Sequence, residues 1–302
     1  MREDDGYGDY SDSEDYKEKE IKPRYIIPPY FFLTLDEKNW LEINIRALRE
    51  ALKHERPDKI AAEIALEKQI LVSDDYLNKI VDAYNAVDEV ETLLIWVDNF
   101  NETDVSTIYL KKFVEFLGKF KNKTIINLYG GHFSLLLCKE RMLNGFCHGP
   151  GYGEHRGVKP VGGGRPTAKY YLSYISKRID FELASSVLKR KTLLDIKYFN
   201  QVCNCRRCKE LLSPVPDETK FYEHYGKYIL SSTRKSQIPA QTTLINNQLH
   251  YLLKRFSDIK SVNLRDEKRR FREFIDWNKR EKIVSTQHLE NWIKVLDERE
   301  ET

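Results

Sequence analysis

The sequence predicts an α/β fold in which helices cover a parallel sheet. Three observations lead there. Short, nearly continuous apolar runs alternate with amphipathic helical stretches from about residue 59 to residue 199, and strands buried on both faces read this way. Glycines, acids and other polar residues gather just after those runs: Asp98, Asn99, Gly130, Gly131, His132, Gly151, Gly153 and Glu154. Both barrels and open doubly wound sheets place their ligands there. Such residues follow several successive strands, which favours a (β/α)8 TIM-type barrel, short of strands at its N-terminal end. The third observation is a cysteine cluster immediately after the last strand candidate.

Taken in order, residues 1–22 form an acidic tail with nine acids against three bases in the first twenty positions. They have little to bury and are expected to be disordered. A weak strand candidate lies near residues 30–35. The strong ones are "KIAAEIAL" (59–66), "TLLIWVD" (92–98), "TIINLYG" (124–130), "GFCHGPG" (145–151), "KYYLSYI" (169–175) and "LLDIKYF" (193–199). Helical stretches fall at 74–87, 106–120 and 180–191, the last with Asp180 as N-cap. From about residue 240 helical periodicity dominates. The division expected is a tail at 1–22, a barrel at 23–200, and a metal-binding segment with C-terminal helices at 201–302.

The chain has 302 residues, 41% apolar and 32% charged, enough for one large domain or two small ones. No apolar run reaches the roughly 18 residues of a membrane span, and no signal peptide is visible. The expected compartment is the cytoplasm, where clustered thiols favour a metal over a disulfide. Net charge is +3, but the acidic start leaves the remainder near +9. The basic excess is richest around Lys268, Arg269, Arg270 and Arg272, which suits a phosphate backbone. Interleaved acids also allow a plain solvated helix there.

Cys203, Cys205 and Cys208 lie within six positions. An extended Cys-x-Cys presents both thiols to one side, and a turn returns the third. Zinc takes four such donors in a tetrahedron, so a histidine is expected as the fourth. His224 and His250 are the candidates, and His250 sits at a clear helix start. Cys138 and Cys147 read as ordinary buried thiols. The site is expected to be structural.

"GFCHGPGYGEHRGVKPVGGGRP" (145–166) is rich in glycine but is neither a Walker loop nor a good dinucleotide fingerprint. Glycines there would let backbone groups approach a flat ligand closely.

Four features now stand in order: "LLIWVDNFNE", "NLYGGH", "NGFCHGPGYGE", and the cysteine cluster followed by a helix with histidine. Over about residues 59–260 this resembles the tRNA-guanine transglycosylase superfamily, including its relatives that insert 7-deazaguanine bases into DNA. The resemblance implies a barrel with a zinc subdomain and a base exchange, in which an aspartate attacks C1′ and expels guanine. It implies that Asp98 reads the base edge. Tyr129 stands where the family has a base-binding glutamine, just before Gly130. Gly149, Pro150 and Gly151 match the loop whose backbone contacts the base, and Glu154 closes that loop. Tyr129 and Tyr152 offer stacking faces. Cys203, Cys205 and Cys208 match the zinc cysteines, while the family's ligand histidine falls near Asn247, one helical turn from His250.

The chain departs from the family in two ways. It lacks the early aspartate motif. In "LLDIKYFNQ" the nucleophile position falls on Lys197 or Tyr198, with Asp195 on the face of Lys197 but roughly 6–7 Å deeper. The expected function is therefore a transglycosylase-like exchange of guanine for a 7-deazaguanine-type base in tRNA or DNA, with Asp195 or Asp98 as working carboxylate. The alternatives are a non-catalytic relative that binds nucleic acid or a catalytic partner subunit, and an unrelated barrel enzyme acting on a nucleotide or sugar phosphate.

Overall fold

A computed structural model describes residues 23–149, 153–159, 167–191, 203–213, 217–231 and 236–300. The acidic tail and the strand candidate at 193–199 lie outside these residues.

The sheet has four strands: β1 Ala61–Leu66, β2 Thr92–Val97, β3 Thr124–Asn127 and β4 Gly145–Phe146. They pair in chain order, all parallel, with Ala61 beside Thr92, Thr92 beside Thr124 and Ile126 beside Gly145. The candidate near residues 30–35 becomes an edge segment, with parallel bridges at Ile26–Ile60 and Leu33–Leu66. Helix α1 (Asn39–Ala51) follows it, and Asn44 holds Phe31 through both backbone groups, at 2.7 and 2.9 Å.

Each crossover is helical: α2 Asp74–Asn85, α3 Thr107–Gly118 and α4 His132–Lys139. Period-2 alternation sends Ala62, Ile64, Leu66, Leu93, Ile95, Val97 and Ile125 into one core with Ile80, Phe113 and Phe133. The opposite face carries Glu63 and the half-buried Trp96. Strands in unbroken sequential order match the early part of a barrel. The described residues do not close it into one.

"KYYLSYI" is a correction. It does not join the parallel sheet. β5 (Lys169–Leu172) and β6 (Lys177–Asp180) form an antiparallel hairpin. The reversal is local: Ile175 and Ser176 amides bond back to Leu172 and Ser173 carbonyls, and Ser176 adopts φ 50°. The run is apolar because both faces are covered by later elements, not because a parallel neighbour lies on each side. Asp180 does precede helix α5 (Phe181–Arg190), but its side chain makes no capping bond.

Short pieces follow: α6 Arg206–Leu212, α7 Glu218–Phe221 with a π-turn at Tyr222–Gly226, and an antiparallel hairpin of β7 Tyr228–Leu230 and β8 Gln237–Pro239. A Cβ on Gly226 would lie 2.3 Å from the Phe181 ring, so only glycine allows that approach. Three helices end the chain: α8 Gln241–Ser261, α9 Leu264–Glu281 and α10 Gln287–Glu300. Asn263 caps α9 by accepting from the Asp266 amide. α10 returns to the sheet, where fully buried Trp292 donates to the Glu102 carbonyl at 2.8 Å and stacks on Phe133. No described helix is long and apolar enough to cross a membrane.

Hairpin β5–β6 meets α8 face to face, with the Tyr170 ring 4.2 Å from that of His250.

Candidate metal centre and strand-end site

Cys203, Cys205, Cys208 and His250 converge, their donor atoms all within 4.8 Å of one another and all four residues buried. His250 Nδ1 lies 3.4, 3.5 and 3.2 Å from the three sulfurs in sequence order. The local chain explains the convergence. Cys205 is the N-cap of α6, and its sulfur accepts from the Cys208 amide at 3.4 Å. That turn brings Cys208 back over Cys203 and Cys205.

His250 is oriented from behind. Its Nε2 donates to the Tyr171 carbonyl at 2.8 Å, which fixes the ring orientation and aims Nδ1 at the sulfurs. Tyr225 Oη donates toward Cys208 Sγ at 3.1 Å. Burial disfavours the Cys203 thiolate, but hydrogen bonds from the other two thiols and the adjacent imidazole hold it well below the usual thiol range. Burial alone would lower His250, yet the Cys203 charge pushes it up to about 10. A proton thus balances the cluster's charge, and a bound cation would replace it.

His224 lies apart, on the π-turn, and only its carbonyl accepts from Asn246 in α8, at 3.0 Å. Asn247 holds the Tyr225 and Thr243 carbonyls. Cys138 is half-buried and Cys147 is exposed, so the second is not the buried thiol expected from sequence.

At the C-terminal ends of β2–β4 a second constellation forms. Asp98 ends β2, and its Oδ1 accepts from the Val158 amide at 2.7 Å. Arg156 donates to Tyr129 Oη at 2.9 Å and lies over the Trp96 ring. Tyr129 has φ 130°, a strained backbone for a residue with a side chain. A Cβ on Gly130 would meet Ser134 Oγ at 2.6 Å, so this turn requires glycine. Gly149 bridges Gly153. Glu154 accepts from Tyr251 Oη at 2.7 Å. Asp98, Tyr129, Gly130 and Glu154 therefore share one end of the sheet. Gly151, Tyr152 and Asp195 lie outside the described residues.

Four residues at this end escaped the sequence reading: Glu102, His148, Tyr251 and Arg255. Glu102 is buried and accepts from the Gly131 and Ser134 amides and from the Ser134 hydroxyl. Burial pushes its carboxyl up to about 7, with the Glu154 charge adding to the rise. Arg255 donates to His132 Nδ1 at 3.0 Å. Arginine only donates, so His132 carries its proton on Nε2 and gives it to Glu267, 3.1 Å away. Tyr251 Oη also meets His148 Nε2 at 3.3 Å. One legible signal existed: Tyr251 and Arg255 lie four residues apart, on one face of the same helix.

The four basic residues singled out from sequence lie on α9 and are engaged within the chain. Lys268 is buried and paired with Asp297 at 3.0 Å, and Arg272 pairs with the same carboxylate at 2.7 Å. Arg269 pairs with Asp266, and Arg270 with Glu267. They are not a free row of cations, because α10 and the helix's own acids meet them.

Comparisons with protein families, with curated proteins and with solved structures find no match to this chain.

Proposed function

We propose that this chain is a divergent transglycosylase-like protein that recognises a guanine-type base at the strand ends and exchanges it for a 7-deazaguanine-type base in nucleic acid. The observation that carries this reading is the meeting of Asp98, Tyr129, Gly130 and Glu154 at one end of a sequentially ordered parallel sheet. Such an end offers a carboxylate for a purine edge, a ring for stacking, and glycine backbone for close approach. The sheet is then part of a remodelled barrel.

The metal in this reading is zinc, held by Cys203, Cys205, Cys208 and His250. Three thiolates and an imidazole are its usual donors, and bond lengths of about 2.3 Å to sulfur and 2.0–2.1 Å to nitrogen imply a sulfur–nitrogen edge of roughly 3.5 Å. The separations of 3.2–3.5 Å fit that edge. Four protein donors close the site, so zinc supplies rigidity rather than a reactive position.

One observation favours the second reading, a non-catalytic binding subunit: Asp98 already spends one oxygen on the Val158 amide. The test is incubation of the protein and nucleic acid with labelled guanine or a deazaguanine, beside calorimetry with the free base. Incorporation lost in Asp98→Ala supports exchange. Binding without incorporation selects the non-catalytic role. Equal base affinity in wild type and Asp98→Ala, or none in either, overturns base recognition at this end.

A further inference from the structure

Helix α8 is inside out. Its buried face carries Thr243, Asn246, Asn247, His250, Tyr251 and Arg255. Its exposed face carries Ile245, Leu249, Leu252, Leu253, Phe256 and Ile259. The polar face is accounted for, since Asn246 and Asn247 hold backbone carbonyls, His250 faces the three sulfurs, and Tyr251 and Arg255 reach Glu154 and His132. Among the described residues the apolar face has no such role. Lys260 lies 4.1 Å from the Phe256 ring, yet Phe256 is still 60% exposed.

The spacing of that face decides what covers it. Ile245, Leu249, Leu252, Phe256 and Ile259 are separated by four, three, four and three residues. This is a 3.5-residue repeat, the seam by which one helix packs along another. We propose that α8 pairs antiparallel with α8 of a second copy of this chain. A twofold axis between the levels of His250 and Tyr251 sets Leu249 against Leu252 of the second copy. The same axis sets Ile245 against Phe256 of the second copy, and the reciprocal contacts complete four layers.

Three facts favour this occupant. The six side chains leave roughly 500 Å² exposed per copy, so two copies bury about 1,000 Å², the lower bound of a specific interface. No charged residue interrupts the seam. All charges of α8 lie in its C-terminal half, at Lys254, Arg255, Asp258 and Lys260, and none precedes them. Antiparallel pairing sets that half against an uncharged one and opposes the helix dipoles, whereas parallel pairing stacks like on like.

The test is the mass of the full metal-loaded chain by light scattering across the micromolar range. Wild type should be a dimer. Leu252→Glu/Phe256→Glu should weaken association by at least about 100-fold, because each charge would be buried without a partner. Its circular dichroism and metal content should stay unchanged, since both positions are exposed. The register is read by oxidation: Ile245→Cys/Phe256→Cys should form an intermolecular disulfide above the wild-type background, and Phe256→Cys alone should not. A monomeric wild type, or a dimer that survives the double glutamate variant, overturns the proposal. Equal cross-linking by Phe256→Cys alone overturns the antiparallel register.

Discussion

Residues 61–146 and residues 169–261 are held together by different forces. In the first stretch, strands buried on the helix side lean on α2, α3 and α4 through aliphatic and phenylalanine contacts. Area removed from water does the work there, and no single residue is indispensable. In the second stretch most elements before α8 are short, and several have only three or four residues. Tyr170 meets Phe221 and Tyr225 edge to face and stacks on His250, so that the rings surround one thiol–imidazole cluster. Small pieces of this kind rarely bury enough surface to stand alone, and a metal supplies what the core lacks. Robustness is spread out in the sheet half and concentrated at four atoms in the other.

The largest expected effect breaks the second half alone. Chelation, or Cys208→Ser, should release the metal and lower hydrogen-exchange protection in β5, β6 and α6–α8 by at least ~1,000-fold. Protection in β1–β3 should change little. Equal loss in both halves would show one cooperative unit, and no loss in either would show that the cluster holds no stabilising ion.

The next effect belongs to the sheet. Phe113 is fully buried against Phe100, 4.7 Å between ring centres. Phe113→Ala should cost about 3–5 kcal/mol in urea unfolding through the cavity it leaves. Metal content should be unaltered. A fall in metal stoichiometry would mean that the halves are energetically coupled through this core.

The smallest effect sits where the halves meet, at Glu102 beside Glu154. Its folded carboxyl titrates near 7, above the ordinary carboxylate range. The folded state therefore binds more protons than the unfolded state between about pH 4.5 and 7, and stability from this group falls as pH rises through that window. Glu102→Gln resembles the protonated form and should flatten the slope, by up to about 3 kcal/mol between pH 5 and 8. Identical pH slopes in wild type and variant would mean that Glu102 is ionised throughout.

Much of this was legible in the sequence, for identifiable reasons. β1, β2, β3 and the helices between them were readable because burial imposes a period on each element separately, and that period is local. The three cysteines were readable because their spacing in the chain is nearly their spacing in space. His250 was nameable because a helical stretch one turn from the expected position limits the choice, although His250 lies in the middle of α8 and not at its start.

What only the tertiary structure decided depends on partners distant in sequence. "KYYLSYI" has the apolarity of a buried parallel strand, and only the tertiary structure shows that it is part of a hairpin packed against the thiol–imidazole cluster. Lys268 reads from sequence as one of a basic run, and only the tertiary structure sets Asp297 of α10 beside it. Glu102 and Arg255 carry no local pattern at all, since a buried charge takes its meaning from the group that meets it across 29 to 123 residues of chain. Periodicity records which side of an element is buried. It does not record what that side is buried against, and for polar groups that second fact sets the energy.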